Sequence, residues 1–144
     1  MQLNEQVVLI TGASRGLGAA IAKAFGREGA RVVVNYYQSE AKARDVAGAI
    51  GERALPVQAD VRDPEQVEAM VQRAADHFGA PIHTVVSNAL INYRFDPAER
   101  ATASTISWDH YDEQLQGSVR GTLNVLQACL DGMREQEFGR VVAI

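Results

Sequence analysis

The apolar run Val7-Val8-Leu9-Ile10-Thr11 leads directly into Gly12-Ala13-Ser14-Arg15-Gly16-Leu17-Gly18, an arrangement that few folds can use. A short run of β-branched and aliphatic residues reads as a buried strand. The segment after the glycines has helical period to about Glu28, with Ile21, Ala22 and Phe25 on one face, and Gly29 stops it. A glycine-rich turn between a strand and a helix makes a cradle for a pyrophosphate, because the first N–H groups of a helix have no partner within it. Gly12 permits the sharp turn, Gly16 lets the backbone approach the phosphates, and Gly18 lets the helix pack tightly. The spacing therefore predicts a dinucleotide site that includes Gly12, Ser14, Arg15, Gly16, Leu17 and Gly18. The plainer alternative is that these glycines only form turns.

The rest of the chain repeats the strand–helix rhythm. Strands are predicted at Arg31–Asn35, Ala54–Ala59 and Ile82–Ser87, and a fifth begins at Gly139. Helices are predicted from Ser39 or Glu40 to Ile50, from Asp63-Pro64 to Phe78, and from near Trp108 to about Glu135, the last bent around Gly117–Gly121. Asp63 is placed to cap its helix, Pro64 suits the first helical position, and Gln66 stands where a capping-box partner belongs. The polar stretch from Asn92 to Ser107 reads as a loop, and Trp108 as a packing residue. Alternating units of this kind predict an α/β fold: a Rossmann-type, doubly wound parallel sheet, truncated after its fifth strand.

The second strand bears on the choice of cofactor. NAD sites of this architecture place an Asp or Glu there to hold the ribose 2′-hydroxyl. Here the strand ends in Asn35-Tyr36-Tyr37-Gln38, all uncharged, and Arg15 projects from the turn toward the same region. A carboxylate would repel a 2′-phosphate, whereas a guanidinium can bind one through paired N–H groups. NADP is therefore expected over NAD, with Asn35, Tyr36 and Tyr37 in the site; the competing reading of Arg15 is a solvated surface residue.

The pattern Thr11-Gly12-x-x-x-Gly16-x-Gly18, with Ala59-Asp60-Val61 after the third strand and Ser87-Asn88-Ala89 after the fourth, resembles the short-chain dehydrogenase/reductase family over the whole chain. The sequence Gly12-Ala13-Ser14-Arg15-Gly16 and the non-acidic second strand are similar to its 3-oxoacyl-[acyl-carrier-protein] reductase branch. The resemblance implies that Asp60 and Val61 lie beside the adenine. It places Asn88 and Ala89 beside the cofactor ribose, with Asn88 also tying the central strands together. Asp60 could instead be a capping carboxylate, and Asn88 purely architectural.

Two residues depart from the family pattern: Leu90 stands where a glycine is usual, and Ser118 where an Asn normally helps hold a water in a proton relay. The family's Tyr, followed four residues later by Lys, is not found. Tyr36, Tyr37, Tyr93 and Tyr111 are followed at that distance by Glu40, Ala41, Pro97 and Leu115. In this chemistry the Lys lowers the Tyr pKa so that the phenol can exchange a proton while hydride moves. Residues 1–144 are thus expected to be the dinucleotide-binding part of a single reductase domain, inactive alone, with Ser, Tyr and Lys beyond the chain end. The resemblance implies a small-molecule or acyl-carrier-bound carbonyl substrate and a homo-oligomeric full-length form. A non-catalytic dinucleotide-binding module is the alternative.

Composition excludes other classes. Fourteen Lys and Arg against 18 Asp and Glu leave a net charge of -4, with no basic surplus for nucleic acid. No apolar run approaches the roughly 18 residues that a membrane span requires. His77, His83 and His110 lack metal-site spacing, and no metal is expected. Cys129, the only cysteine, lies in an apolar helical stretch and reads as a small buried side chain. These features together predict a cytoplasmic protein.

Overall fold

A computed structural model describes residues 1–90 and 101–144. After a 3-10 turn at Leu3–Glu5, the elements run β1 (Val7–Ile10), α1 (Gly16–Arg27), β2 (Arg31–Tyr36), α2 (Glu40–Ile50), β3 (Ala54–Gln58), α3 (Pro64–Phe78) and β4 (Thr84–Ser87). They continue with α4 (Trp108–Leu115), a π turn (Gln116–Arg120), α5 (Gly121–Glu135) and β5 (Arg140–Ala143). Most of the predicted loop from Asn92 to Ser107, and Tyr93 and Pro97 with it, lies outside the described residues.

The five strands form one parallel sheet in the order β3-β2-β1-β4-β5. Chain order reverses beside β1, and in open parallel sheets ligands bind at the carboxyl ends of the strands at such a switch point. Side chains alternate across the pleat, so each strand feeds two cores. Val8, Ile10, Val32, Val34 and Val86 pack with Ala19 and Ala22 of α1 and Ala43, Val46 and Ala47 of α2. On the other face, Val7, Leu9, Val33 and Val85 pack with Val67, Met70 and Ala74 of α3 and Val125, Cys129 and Met133 of α5. Helices covering both faces explain why the strands read as continuous apolar runs.

Several boundaries differ by one or two residues from the sequence-based prediction. The second strand extends to Tyr36, which pairs with Gln58, and the fourth begins at Thr84, although the His83 N–H already donates to the Val7 carbonyl. Asp63 caps α3 as expected, accepting from the N–H groups of Glu65 and Gln66. Gln66, however, does not reach back to the Asp63 N–H. Its amide oxygen accepts from the Asp60 N–H at 3.0 Å while its NH2 donates to Asp63 Oδ2 at 2.7 Å. It thereby ties the cap to the turn after β3.

The bend predicted at Gly117–Gly121 is the π turn, a local widening that shifts the register between α4 and α5. Trp108 is not buried, as a packing residue would be. As the first residue of α4 it is 70% exposed, and its ring stacks on Tyr111 at 6.4 Å between centroids. Tyr111, Leu115, Val119 and Leu123 continue an exposed apolar stripe along α4 and α5. The strand β5 likewise exposes Val141 and Val142.

Candidate cofactor-binding site

A cleft of roughly 780 Å³ opens at the carboxyl ends of β1, β2, β3 and β4. Its lining includes every residue predicted for the site except Gly18, which stands directly beneath the turn.

The glycine turn is shaped by two different constraints. Gly12 (φ +62°) and Gly16 (φ +56°) adopt the left-handed conformation that side chains disfavour. A Cβ at Gly12 would lie 2.9 Å from the Ala89 backbone, whereas one at Gly16 would meet nothing within 4 Å and would project into open space. At Gly18 the constraint is packing. A Cβ there would lie 2.5 Å from the Gly12 carbonyl oxygen and 2.6 Å from the Asn88 amide nitrogen. Gly18 therefore lets α1 pack onto the turn and Asn88, in addition to the sheet contact made by Ala19 and Ala22.

The N-terminus of α1 faces this space. Arg15 is its N-cap residue and makes no side-chain cap bond, so among the described residues no side chain caps the first-turn N–H groups. Ser14, Arg15 and Leu17 line the rim, and Arg15 and Leu17 are exposed. Among the described residues, Arg15 forms no ion pair.

Asn88 and Thr11 lock the fourth strand to the first. The Thr11 hydroxyl accepts from the Asn88 N–H (2.9 Å) and the Ala89 N–H (3.0 Å), and the Asn88 amide donates to the Thr11 carbonyl at 3.0 Å. Ala89 and the exposed Leu90 then continue along the cleft wall.

The second-strand residues divide by depth. Asn35, 2% exposed, is a bridge behind the cleft: its amide oxygen accepts from the Gly12 N–H at 3.2 Å, and its NH2 donates to the Ala59 carbonyl at 3.1 Å. The turn is thus connected to the end of β3 through one side chain. Tyr36 belongs to the core beneath α1 and α2. Tyr37 is exposed at the rim, where its carbonyl accepts from the Gln58 amide at 2.9 Å.

Beyond β3, the Asp60 carboxylate is engaged by Arg62 through Nε (2.9 and 3.0 Å) and Nη2 (2.6 Å). Hydrogen bonds from Arg62 hold the Asp60 carboxyl below its ordinary range, against the opposing effect of burial. Val61 turns its side chain inward against Gly121, where a Cβ would come within 2.7 Å of Val61 Cγ2. The Val61 carbonyl accepts from the buried Asn124 amide at 2.9 Å. Gly121 and Asn124 of α5 therefore position the turn after β3.

The cleft also contains Gln38, Ser39, Arg62 and Glu113, which sequence reasoning did not include. Gln38 and Ser39 directly follow the predicted second-strand residues, and Arg62 follows Asp60 by two. That proximity was the available signal. Ser118 does not offer its hydroxyl to the cleft: the group donates to the Gln114 carbonyl at 2.7 Å within its own helix. No helix among the described residues is long and apolar enough to cross a membrane.

A dinucleotide fits this arrangement on structural grounds. The direction a Gly16 Cβ would take is open, uncapped N–H groups stand beside it, and a guanidinium flanks them. Comparison with known proteins agrees. Residues 6–144 match the family model described as short chain dehydrogenase. A versicolorin reductase of Emericella nidulans is 37% identical over 98% of this chain and 51% of its own length. An NADPH-dependent aldehyde reductase-like chloroplastic protein of Arabidopsis thaliana is 32% identical over all of this chain and 56% of its own. Among solved structures, a 3-ketoacyl-(acyl-carrier-protein) reductase from Brucella melitensis complexed with NADH superposes with a TM-score of 0.82 at 33% identity, covering 93% of this chain and 52% of its own. The chain spans about half the length of these relatives. With the glycine turn, the parallel sheet and this match in agreement, the chain belongs to the short-chain dehydrogenase/reductase family.

Proposed function

We propose that this chain is the cofactor-binding part of an NADP(H)-dependent reductase of carbonyl compounds. The observation that carries the reading is the open cradle at Gly16 over the N-terminus of α1, flanked by Arg15 at the helix N-cap, with no carboxylate at the end of the second strand. In that geometry the N–H groups of the first turn of α1 hold the pyrophosphate, as anions bind at helix N-termini. Arg15 pairs with a 2′-phosphate, and no second-strand carboxylate opposes it. Asn88 and Ala89 hold the wall beside the cofactor ribose through their bonds to Thr11. The bound cofactor supplies a hydride to the substrate carbonyl carbon. The proton for the carbonyl oxygen comes from a Tyr assisted by Lys, with a Ser, in the residues that follow Ile144.

Residues 1–144 alone accordingly bind cofactor without turnover. A 3-oxoacyl substrate, free or carrier-bound, is the proposed class, supported by the likeness to the Brucella reductase. The full-length form is proposed to be cytoplasmic and homo-oligomeric, the latter supported by the exposed apolar stripe from Trp108 to Leu123; light scattering that returned a monomer would remove that element.

Cofactor choice is tested by titrating NADPH and NADH against the intact protein and its Arg15→Ala variant. Loss of a charge-assisted phosphate contact, about 1.5–3 kcal/mol, should weaken NADPH by roughly ten- to a hundredfold and leave NADH nearly unchanged. An unchanged NADPH/NADH ratio would remove Arg15 from the account.

A further inference from the structure

At the far end of the cleft from the glycine turn, three side chains from the segments that follow β2 and β3 are joined in one cluster. The Arg62 N–H and guanidinium make four contacts of 2.6–3.0 Å with the Asp60 carboxylate, a forked geometry that fixes the guanidinium plane. That same guanidinium lies 5.7 Å from the centroid of the Tyr37 ring. Each partner is anchored in turn: the Asp60 N–H donates to Gln66, and the Tyr37 carbonyl accepts from Gln58. All three residues line the cleft.

A guanidinium paired so closely to a carboxylate presents little net charge, so it is poorly suited to capture a phosphate. Its plane remains a flat, weakly hydrated surface on which a heteroaromatic ring can stack. Arg15, by contrast, has no carboxylate partner among the described residues. The two arginines of the cleft thus differ in kind.

Resting on the dinucleotide reading above, we propose that Arg62, held by Asp60 and Tyr37, is the stacking platform for the adenine base, while Arg15 alone reads the 2′-phosphate. Arg62 then contributes to affinity for both dinucleotides and does not discriminate between them. Its planar fork matters, not its charge.

The test titrates NADPH and NADH against the intact protein, Arg62→Ala and Arg62→Lys, with the ligand-free unfolding midpoint of each as a control. Removing one base-stacking partner should weaken both dinucleotides by the same factor, roughly tenfold. Lysine, which keeps the charge and the ion pair but not the plane, should fail to restore binding. If Arg62→Ala proves unfolded, Arg62→Lys carries the test by itself. Loss of NADPH binding alone, full rescue by lysine, or unchanged binding in both variants would each overturn the proposal. If the unsubstituted protein bound neither dinucleotide, the cofactor reading itself would fall, and this assignment with it.

Discussion

Replacing Gly18 and Gly48 by alanine, one at a time, separates the two ways a glycine can serve a helix. Both lie within helices, Gly18 in the first turn of α1 and Gly48 near the end of α2. Alanine is favoured over glycine in a helix interior by about 0.8–1 kcal/mol, so propensity alone makes both substitutions stabilising. At Gly48 the added Cβ meets nothing within 4 Å, and the gain should be realised nearly in full. At Gly18 it would lie 2.5 Å from the Gly12 carbonyl oxygen, 2.6 Å from Asn88 Nδ2 and 3.0 Å from Ala13 Cα. Two of those atoms are backbone, and the third belongs to an amide bonded to the Thr11 carbonyl. Relieving the overlap costs about 1–3 kcal/mol as overpacking. Displacing the Asn88 bond adds about 0.5–1.5 kcal/mol. Subtracting the propensity gain leaves Gly18→Ala destabilised by about 0.5–3.5 kcal/mol, while Gly48→Ala is stabilised by about 0.5–1 kcal/mol.

Urea unfolding of the intact protein, followed by far-UV circular dichroism, should move the midpoint in opposite directions for the two variants. Because the turn itself must shift, Gly18→Ala should also weaken NADPH binding, whereas Gly48→Ala should not. If Gly18→Ala were stabilised like Gly48→Ala, the close packing of α1 on the turn and Asn88 would be refuted.

Asp63→Ala removes the acceptor for two N–H groups at the start of α3 and should cost about 1 kcal/mol, read as a lower urea midpoint. Buried His83 accepts the Val7 N–H on Nδ1 at 3.0 Å, and burial, reinforced by the Arg31 charge, lowers its pKa below the ordinary 6.5. The neutral ring is the form compatible with the fold. Its contribution is complete above the unfolded pKa and is lost as pH falls from there through the lower folded value. Stability should therefore decline below pH 6.5 more steeply in the natural protein than in His83→Asn, compared by unfolding midpoints across pH 5–8. Burial pushes the Cys129 thiol up to about 12, so at pH 8 the native protein should resist alkylation that proceeds readily in urea.

The order of strands and helices, the turn at Gly12–Gly18, the Asp63 cap and the inward face of α1 were legible in the sequence. Each is set by residues close together in the chain: periodicity, a capping side chain, a glycine between strand and helix. The glycine turn brings Gly12, Ser14, Arg15, Gly16 and Leu17 to the cleft wall, whereas Asn88 and Ala89, which also line it, were placed there by the family resemblance. What these residues do was less visible. Asn35 reads as a cofactor contact, yet only the approach of β3 to β2 shows its amide bridging the glycine turn to Ala59. Gln66 reads as half of a local capping box, yet its amide oxygen accepts from the Asp60 N–H in the turn after β3.

Trp108 reads as a packing residue from its hydrophobic character, which leads to burial only where other groups cover it, and its ring is exposed. Arg62 escaped notice because its meaning depends on Tyr37, brought beside it by the pairing of β2 with β3. The opening glycine turn shows the same division. Its residue types and spacing identify a dinucleotide cradle from sequence alone. That Gly16 faces open space while Gly18 meets Asn88 was decided only by tertiary structure, because it depends on where a residue 70 positions away comes to rest.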